Sequence, residues 1–432
     1  MNETTTVPPT DQAADCGCPE GGVLTRRTFL KAAAATGALT VASEAYATRY
    51  AFAAEPYAGD VFVVLSLRGG FDGLQAIVPA SDPHYLDWRP NVGIPTSQLL
   101  QLDPTFGMHP AMAELKPLYD SGDLGIVHAV GQAEPNRSHF EAMEEMERAA
   151  PGTSLRTGWI DRVIGGRTDG TPFQAVQVGN SMPAHSFTGP SPELAMWSVE
   201  SFGLDAAWDE EQRDLWDHAL RKLYLGAPPS LSAPAQVALQ ALDTTADLQE
   251  EGYVPANGAV YPNTDLGRAL RDVARLIKAD VGLQVACVDY GDWDMHAGMG
   301  NVDGGWMADH LGELSGALAA FHTDLGTKNQ DVTLVTLTEF GRRIEENGSG
   351  GTDHGYGQVV LMLGGGVNGG QVHGDWPGLA ANDLIDGDLN GTTDYRLVLA
   401  EILEKRCGSG TLTDVFPGIG SDRLDLVQTK PT

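Results

Sequence analysis

The feature that most constrains the fold is an alternation of two hydrophobic patterns along the chain. Short apolar runs rich in β-branched residues are typical of buried strands and occur at 61–67, 124–130, 173–178, 283–288, 332–337 and 359–363. Stretches with helical periodicity lie between them, at 110–121, 139–149, 265–279, 306–325 and 394–406. This order predicts an α/β fold with a doubly wound, mostly parallel sheet and helices on both of its faces.

The segment 181–262 differs from the rest of the chain. Its sequence predicts helices at 210–225 and 233–250, with proline-rich joints, and no strand. We therefore expect one α/β domain over residues 54–432, with a helical cap or insertion at 181–262.

The first 53 residues have the pattern of an export signal. A twin-arginine motif, Thr25-Arg26-Arg27-Thr28-Phe29-Leu30-Lys31, precedes an apolar run that is too short to span a bilayer. Small-residue cleavage sites follow at Ala45-Tyr46-Ala47 and at Ala51-Phe52-Ala53, of which the second fits better. The pattern predicts export by the twin-arginine translocase, to the periplasm, the cell surface or the medium. No later segment is long and apolar enough to be transmembrane.

Charge excludes some partners. The net charge is −31, and an acidic surface of this kind repels nucleic acid and anionic lipid. Cysteine usage is sparse: Cys16 and Cys18 belong to the predicted signal, while Cys287 and Cys407 are either two isolated thiols, with Cys287 buried, or a disulfide. The sequence leaves those two alternatives open.

Clusters of polar residues follow the predicted strands, where open α/β sheets place their ligand crevices. Asp72, in a glycine-rich segment after the first strand, is a candidate metal ligand or a turn aspartate. Ser138 and Glu141 match a capping box, yet a serine at a helix N-terminus is also placed to act as a nucleophile. Arg137 could bind an oxyanion beside it.

Later clusters supply acids and histidines. Asp294-x-His296 puts two ligand types on one side of an extended segment. Glu339 and Arg342 follow the 332–337 strand, either in a site or as a surface pair. Asp353-His354 lie between glycines that permit a sharp turn, and His373 is a further candidate ligand. Carboxylates and imidazoles bind divalent metals, so these residues predict a metal site.

Together these motifs resemble the domain-of-unknown-function 1501 family of exported bacterial proteins. The motifs that carry the resemblance are Leu67-Arg68-Gly69-Gly70-Phe71-Asp72-Gly73-Leu74, Arg137-Ser138-His139-Phe140-Glu141, Asp292-Trp293-Asp294-Met295-His296, Thr338-Glu339-Phe340-Gly341-Arg342, Gly351-Thr352-Asp353-His354-Gly355, and the segment from Gly369-Gly370 to Trp376-Pro377-Gly378-Leu379.

That family is in turn distantly similar to the alkaline phosphatase and sulfatase superfamily, whose members hold two divalent metals at strand ends. The resemblance implies that Ser138 is the nucleophile and that the metal ligands are Asp72, Asp294, His296, Asp353, His354 and His373. Glu339 stands where the superfamily has Asp-His, and Asp294-x-His296 is more closely spaced than the usual pair. Either the metal set is rearranged, with Glu339 as a ligand, or only one metal remains.

The expected function is that of an exported metal-dependent hydrolase or transferase acting on phosphate or sulfate esters. Ser138 or a metal-bound water would be the nucleophile, and Arg137 or Arg342 would neutralise the transferred charge. The divalent ion could be Zn, Mn, Ca or Mg. The alternative is a non-catalytic exported protein that binds a cell-envelope component, with its metal structural or absent.

Overall fold

The computed structural model describes residues 57–165, 171–191, 193–204, 210–409 and 412–431. The predicted export signal at 1–53 lies outside the described residues. The strands are β1 Val61–Leu67, β2 Ile77–Val78, β3 Leu100–Gln101, β4 Gly107–Met108, β5 Leu124–Gly131, β6 Ala175–Val178, β7 Leu194–Met196, β8 Val285–Tyr290, β9 Val332–Leu337, β10 Arg342–Glu346, β11 Thr352–His354, β12 Gln358–Gly364, β13 Val372–His373 and β14 Thr393–Asp394.

A nine-stranded sheet forms the centre of the fold, with β13, β5, β12, β9, β1, β8, β6 and β7 in order and β14 beside β5. Of the strand pairs described in this sheet, the two that involve β12 are antiparallel and the others are parallel. Two separate small sheets contain β2, β4 and β3, and β10 and β11.

Helices cover both faces of the sheet. The α-helices are α1 Gly73–Ala76, α2 Tyr85–Trp88, α3 Lys116–Ser121, α4 His139–Arg148, α5 Trp159–Gly165, α6 Glu210–Tyr224, α7 Pro229–Glu251, α8 Asp265–Lys278, α9 Trp306–Leu325, α10 Tyr395–Lys405 and α11 Leu412–Val415. Short 3₁₀ turns lie at Thr96–Gln98, Pro110–Met112, His185–Phe187 and Gly326–Asp331.

Alternate residues of the central strands enter two separate hydrophobic cores. On β1, Val63 and Leu65 belong to the core beneath α8 and α9, whereas Phe62 and Val64 belong to the core beneath α5 and α10. This alternation follows from the period-two geometry of a strand. The predicted α/β fold, with a mostly parallel sheet and helices on both faces, is confirmed.

The segment 181–262 contains α6 and α7, close to the predicted helices. The prediction that it holds no strand is wrong, because β7 extends the edge of the central sheet by pairing with β6. Three residues give too short a run for hydrophobic periodicity to reveal.

Two other expectations concern membrane spans and cysteines. No helix within the described ranges combines the length and the apolarity that a membrane crossing requires. Cys287 and Cys407 are both free thiols, as the first of their two interpretations predicts, and both are buried.

His128 is a buried histidine in β5 whose environment fits only the neutral ring. The ring centroids of Phe106 and Trp376 lie 5.0 and 4.8 Å from its own. Its Nε2 is 3.0 Å from the carbonyl oxygen of Ile77, and its Nδ1 accepts a hydrogen bond from the backbone N–H of Ala129 at 2.9 Å. Burial lowers the pKa of His128 to about 4.

Acid should therefore destabilise the fold through His128. The unfolded chain binds this proton with a pKa near ~6.5, so the stabilisation is complete above that pH and is lost as the pH falls toward 4. At about pH 5 the loss amounts to about 2 kcal/mol. His128→Gln keeps a hydrogen-bond donor for the carbonyl group of Ile77 but removes the titrating ring. When the pH is lowered from about 7 to about 5, we expect its free energy of unfolding, measured with urea, to fall by about 2 kcal/mol less than that of wild type. His84→Gln, whose side chain is 46% exposed, is the control and should follow wild type. Equal pH dependence in His128→Gln and wild type would contradict the prediction.

Candidate metal centre

A β-hairpin joins the two motifs that the sequence leaves far apart. Strand β10 follows Glu339, and β11 contains Asp353 and His354; the two strands pair antiparallel with Arg342 opposite His354. The glycine-rich segment before Asp353 is therefore the turn of this hairpin. The pairing returns His354 to the end of β9, where its ring centroid lies 4.8 Å from that of Phe340.

Close backbone packing then joins the hairpin to the segment that follows β8. The N–H of Thr352 donates to the carbonyl oxygen of Met295 at 3.1 Å. A Cβ on Gly351 would come within 2.3 Å of that same oxygen, so this approach requires glycine. As a result Asp353 Oδ1 lies 2.8 Å from His296 Nδ1.

Three imidazoles converge on one carboxylate oxygen. Asp294 Oδ1 is 3.1 Å from His296 Nε2, 3.1 Å from His354 Nε2 and 3.5 Å from His139 Nε2. His139 is the first residue of α4, after β5, whereas the other three residues follow β8 and β9. His139, Asp294 and His354 each offer a ligand atom within 4.8 Å of the other two. We call His139, Asp294, His296 and His354 the histidine cluster.

Each imidazole of the cluster is oriented through its other nitrogen. Glu339 Oε1 lies 2.6 Å from Nδ1 of His139, Asp353 Oδ1 lies 2.8 Å from Nδ1 of His296, and the carbonyl oxygen of Arg137 lies 2.9 Å from Nδ1 of His354. Since these acceptors favour a proton on Nδ1, all three Nε2 lone pairs point into the cluster. Metal-binding histidines show this pattern of outer partners.

The cluster fits a divalent metal on two further observations. His139 Nε2 is shielded from solvent and has no hydrogen-bond partner among the described residues. The Nε2 atoms of His296 and His354 are 2.9 Å apart, where two lone pairs repel unless a proton or a cation lies between them. Asp294 is 45% exposed and His296 43% exposed, so one side of the cluster faces solvent, as in metal sites that keep an open position.

The electrostatics keep the carboxylates ionised. Burial raises the pKa of Asp294, but the hydrogen bond from Arg342 and the positive charge of that arginine outweigh this effect and lower it overall. Burial likewise acts against the ionised form of Glu339, whose pKa is lowered overall by its hydrogen bond with His139. That same bond raises the pKa of His139. A metal at the cluster would therefore compete with a proton on His139.

A cleft of about 760 Å³ opens beside the cluster and is lined in part by His139, Asp294 and Glu339. Its walls carry four more carboxylates and an apolar rim, from Glu144, Glu147, Asp289, Asp292, Phe140, Met143 and Met182. Arg68 in this cleft donates to Asp289 and to Glu147, both at 2.7 Å. The cleft is thus acidic, and its arginine is already neutralised.

Two predicted ligands have other partners. The carboxylate of Asp72 accepts hydrogen bonds from Arg89 at 2.9 Å, from the backbone N–H of Gln75 and from Thr352 Oγ1. His373 Nε2 lies 2.8 Å from the carbonyl oxygen of Asn368. No described hydrogen bond or ion pair joins either residue to the histidine cluster. In the structure Asp72 therefore belongs to a buried ion pair, and His373 lies outside the histidine cluster.

The two arginines that were predicted to neutralise the transferred charge are also paired with carboxylates. Buried Arg342 donates to Asp294 at 2.7 Å and to backbone carbonyl groups of four residues, Gly69, Gly70, Trp293 and Thr352. It positions Asp294 and the surrounding loops. Arg137 donates through both Nε and Nη2 to buried Asp388.

Ser138 occupies the N-cap position of α4, but the predicted capping box does not form. Its backbone is extended, with φ −98° and ψ 115°, and its side chain accepts no capping hydrogen bond. Its hydroxyl makes no hydrogen bond that the structure describes, and Ser138 does not line the cleft. It nevertheless lies between Arg137, whose carbonyl oxygen contacts His354, and His139, which belongs to the cluster.

His139 is the member of the histidine cluster that sequence reasoning missed. It lies inside a Ser-x-x-Glu signature, which favoured the interpretation of this segment as a capping box rather than as part of a metal site. The available signal was its place after β5, because every other member of the cluster also follows a buried strand.

Comparison with known proteins gives a family match and a distant structural likeness. The model of the family described as "Protein of unknown function (DUF1501)" matches residues 210–400. No curated protein matches the chain. Among solved structures, a phosphonate monoester hydrolase of Agrobacterium radiobacter is similar at 9% sequence identity and a TM-score of 0.33, over 84% of this chain and 78% of that chain. At this TM-score nothing about function follows from the likeness. Over residues 210–400 the chain matches the DUF1501 family, which confirms the resemblance that its motifs predicted.

Proposed function

We propose that this protein is a metal-dependent hydrolase or transferase of phosphate or sulfate esters, exported by the twin-arginine route. One observation carries the proposal: three imidazole Nε2 atoms and one carboxylate oxygen converge at the edge of an open cleft. Each imidazole is also held by an outer acceptor. Such an arrangement suits a metal more than a hydrogen-bond network, because it leaves the Nε2 of His139 without a hydrogen-bond partner.

The ligand set that this geometry supports is His139, Asp294, His296 and His354, around one ion. Of the four candidate ions, imidazole donors favour Zn over Ca, Mg and Mn, which prefer oxygen ligands. In this assignment Glu339 and Asp353 are outer partners that orient His139 and His296. The proposal thus shifts two of the predicted ligands one step away from the ion.

The residues around the cluster would position the ligands, while the ion would activate the ester. A bound divalent ion would polarise an ester oxygen and lower the pKa of a neighbouring hydroxyl or water. Arg342 holds Asp294 in place, and Glu339 fixes the ring of His139. Because Arg68, Arg137 and Arg342 are all paired with carboxylates, an anionic substrate group would depend on the ion for its attraction. The nucleophile would be either Ser138, which precedes His139 in the chain but does not line the cleft, or water.

The expected result is that protein purified without added metal contains about one divalent ion per chain, and that chelation lowers its thermal stability. With metal bound it should hydrolyse members of a panel of phosphate, phosphonate and sulfate esters. Elemental analysis and calorimetry measure the first two effects. Absence of a bound ion together with no effect of chelator would remove the basis of the proposal.

Ser138→Ala separates the two nucleophiles. A loss of turnover with unchanged metal content assigns the attack to Ser138, whereas retained turnover assigns it to water. The paired arginines favour the competing function, a non-catalytic protein that binds a cell-envelope component with its metal structural. Metal content without turnover on any ester of the panel would support that alternative.

A further inference from the structure

The cleft beside the histidine cluster has an excess of negative charge. Six carboxylates line it, those of Glu144, Glu147, Asp289, Asp292, Asp294 and Glu339. Among the described residues that line it, Arg68 is the only arginine or lysine. A divalent ion at the cluster, together with the Arg342 that pairs with Asp294, would offset part of this charge but not all of it. A second negative group on a substrate would therefore be repelled here, and a positive group would be attracted.

The carboxylates of the cleft wall differ in what they already bind. Glu147 and Asp289 each accept a hydrogen bond from Arg68 at 2.7 Å. Glu144 is 52% exposed and has a 3.7 Å contact with an arginine of its own helix. Asp292 is exposed and forms no ion pair within the part of the chain that the structure describes. Glu144 and Asp292 are therefore the two wall carboxylates that are best able to bind a ligand.

Apolar side chains line the same cleft. Phe140 and Met182 are 90% and 73% exposed, and the half-buried Met143 precedes Glu144 on α4. Exposed apolar side chains grouped around a pocket are typical of a ligand-binding groove. An aromatic face attracts an ammonium group, and the carbon atoms attached to the nitrogen gain from contact with apolar side chains. Carboxylates beside apolar residues therefore fit an organic cation.

A second metal ion fits this wall less well. Within the described ranges, no second group of three close ligand atoms accompanies the one at the histidine cluster. An inorganic ion would also gain nothing from Phe140 and Met182. The cleft volume of about 760 Å³ is in the range of pockets that hold small molecules. The ligand that fits is therefore a small organic cation.

We propose that the substrates are small phosphate or sulfate esters of an alcohol that carries an ammonium group. The ester group would lie beside the histidine cluster, and the ammonium group at the wall formed by Glu144, Asp292 and Phe140. In hydrolysis the P–O or S–O bond to the alcohol breaks, water supplies the new oxygen, and a proton of that water passes to the alcohol oxygen. This inference rests on the proposed function, but binding of the cationic alcohol requires no turnover.

Calorimetric titration of the full protein with choline, and with its neutral analogue in which carbon replaces the nitrogen, tests the cation specificity without any reaction. The two alcohols have the same shape and differ in charge. We expect wild type to bind choline at least about tenfold more tightly than the analogue, and Glu144→Gln/Asp292→Asn to lose about tenfold in choline affinity.

The matched control is Glu134→Gln/Glu141→Gln. It makes the same change of charge at two exposed carboxylates that do not line the cleft, and it should bind choline as wild type does. Undetectable choline binding to wild type, equal affinity for the two alcohols, or an unchanged affinity in Glu144→Gln/Asp292→Asn would overturn the proposal.

Turnover distinguishes a failure of this inference from a failure of the proposed function. With metal-loaded protein we expect kcat/KM to be about tenfold higher for choline phosphate than for the phosphate ester of the neutral analogue. Equal values would reject the cation preference and retain the hydrolase. Tight choline binding without turnover of either ester would reject the hydrolase and support the cation wall. Turnover of phosphatidylcholine vesicles without turnover of choline phosphate would overturn the choice of a small free ester.

Discussion

Replacement of His354 by alanine should leave the purified protein without its bound divalent ion. The variant loses one of three converging imidazoles, whose Nε2 lies 3.1 Å from Asp294 Oδ1. Loss of an outer partner alone typically weakens metal binding by about 10- to 100-fold, so the loss of a direct ligand should weaken it further. Elemental analysis after gel filtration and calorimetric titration with the metal measure the effect.

His373→Ala is the matched control for this experiment. His373 was predicted as a ligand, but its Nε2 bonds the carbonyl oxygen of Asn368 and it has no described contact with the histidine cluster. Its removal should leave the metal content unchanged. If both variants lost the ion equally, or if neither did, the assignment of the ligands to the cluster would be incorrect.

Arg89→Met should lower the free energy of unfolding by about 3–5 kcal/mol, the usual effect of leaving a buried charge without its partner. The side chains of Arg89 and Asp72 are 0% and 3% exposed, and Arg89 Nη1 donates to Asp72 at 2.9 Å. Arg89 also donates to the backbone carbonyl groups of Arg343 and Ile344 in β10. Urea unfolding of the metal-free protein measures the change.

Lys116→Met provides the comparison for a surface ion pair. Lys116 contacts Asp120, which is 58% exposed, and loss of such a pair costs at most about 1 kcal/mol. A similar small change in Arg89→Met would contradict the structural role of the Asp72–Arg89 pair. If Asp72→Asn depleted the metal while Arg89→Met did not, Asp72 would return to the ligand set.

The main strands and helices were predictable because their signals are local. Strands β1, β5 and β9 and helices α4, α8 and α9 begin and end within a residue or two of their hydrophobic patterns. The hairpin of β10 and β11 was not predictable, since Arg342–Glu346 is mostly charged and its pairing depends on packing against the segment after β8.

The type of site was predictable from the sequence, but the exact set of residues that form it was not. The acids and histidines at strand ends pointed to a metal centre, and Asp294, His296 and His354 do lie together. Asp72 could not be excluded in advance, because Arg89 has no sequence signature that marks it as the partner. In our proposal His139 is a metal ligand and Glu339 orients it. This division depends on the contact between His139 Nδ1 and Glu339 Oε1, which the sequence positions of the two residues do not predict.

The hydrogen bonds between the hairpin and the segment after β8 have a mechanical consequence. Gly298 and Met299 donate to the carbonyl groups of Ser349 and Gly350, so Asp294, His296 and His354 move as parts of one unit. His139 belongs to another unit, the first turn of α4, which also supplies Phe140 to the rim of the cleft. A bound ion would connect the first turn of α4 to the unit that holds Asp294, His296 and His354. Metal binding would therefore fix the distance between these two walls of the cleft.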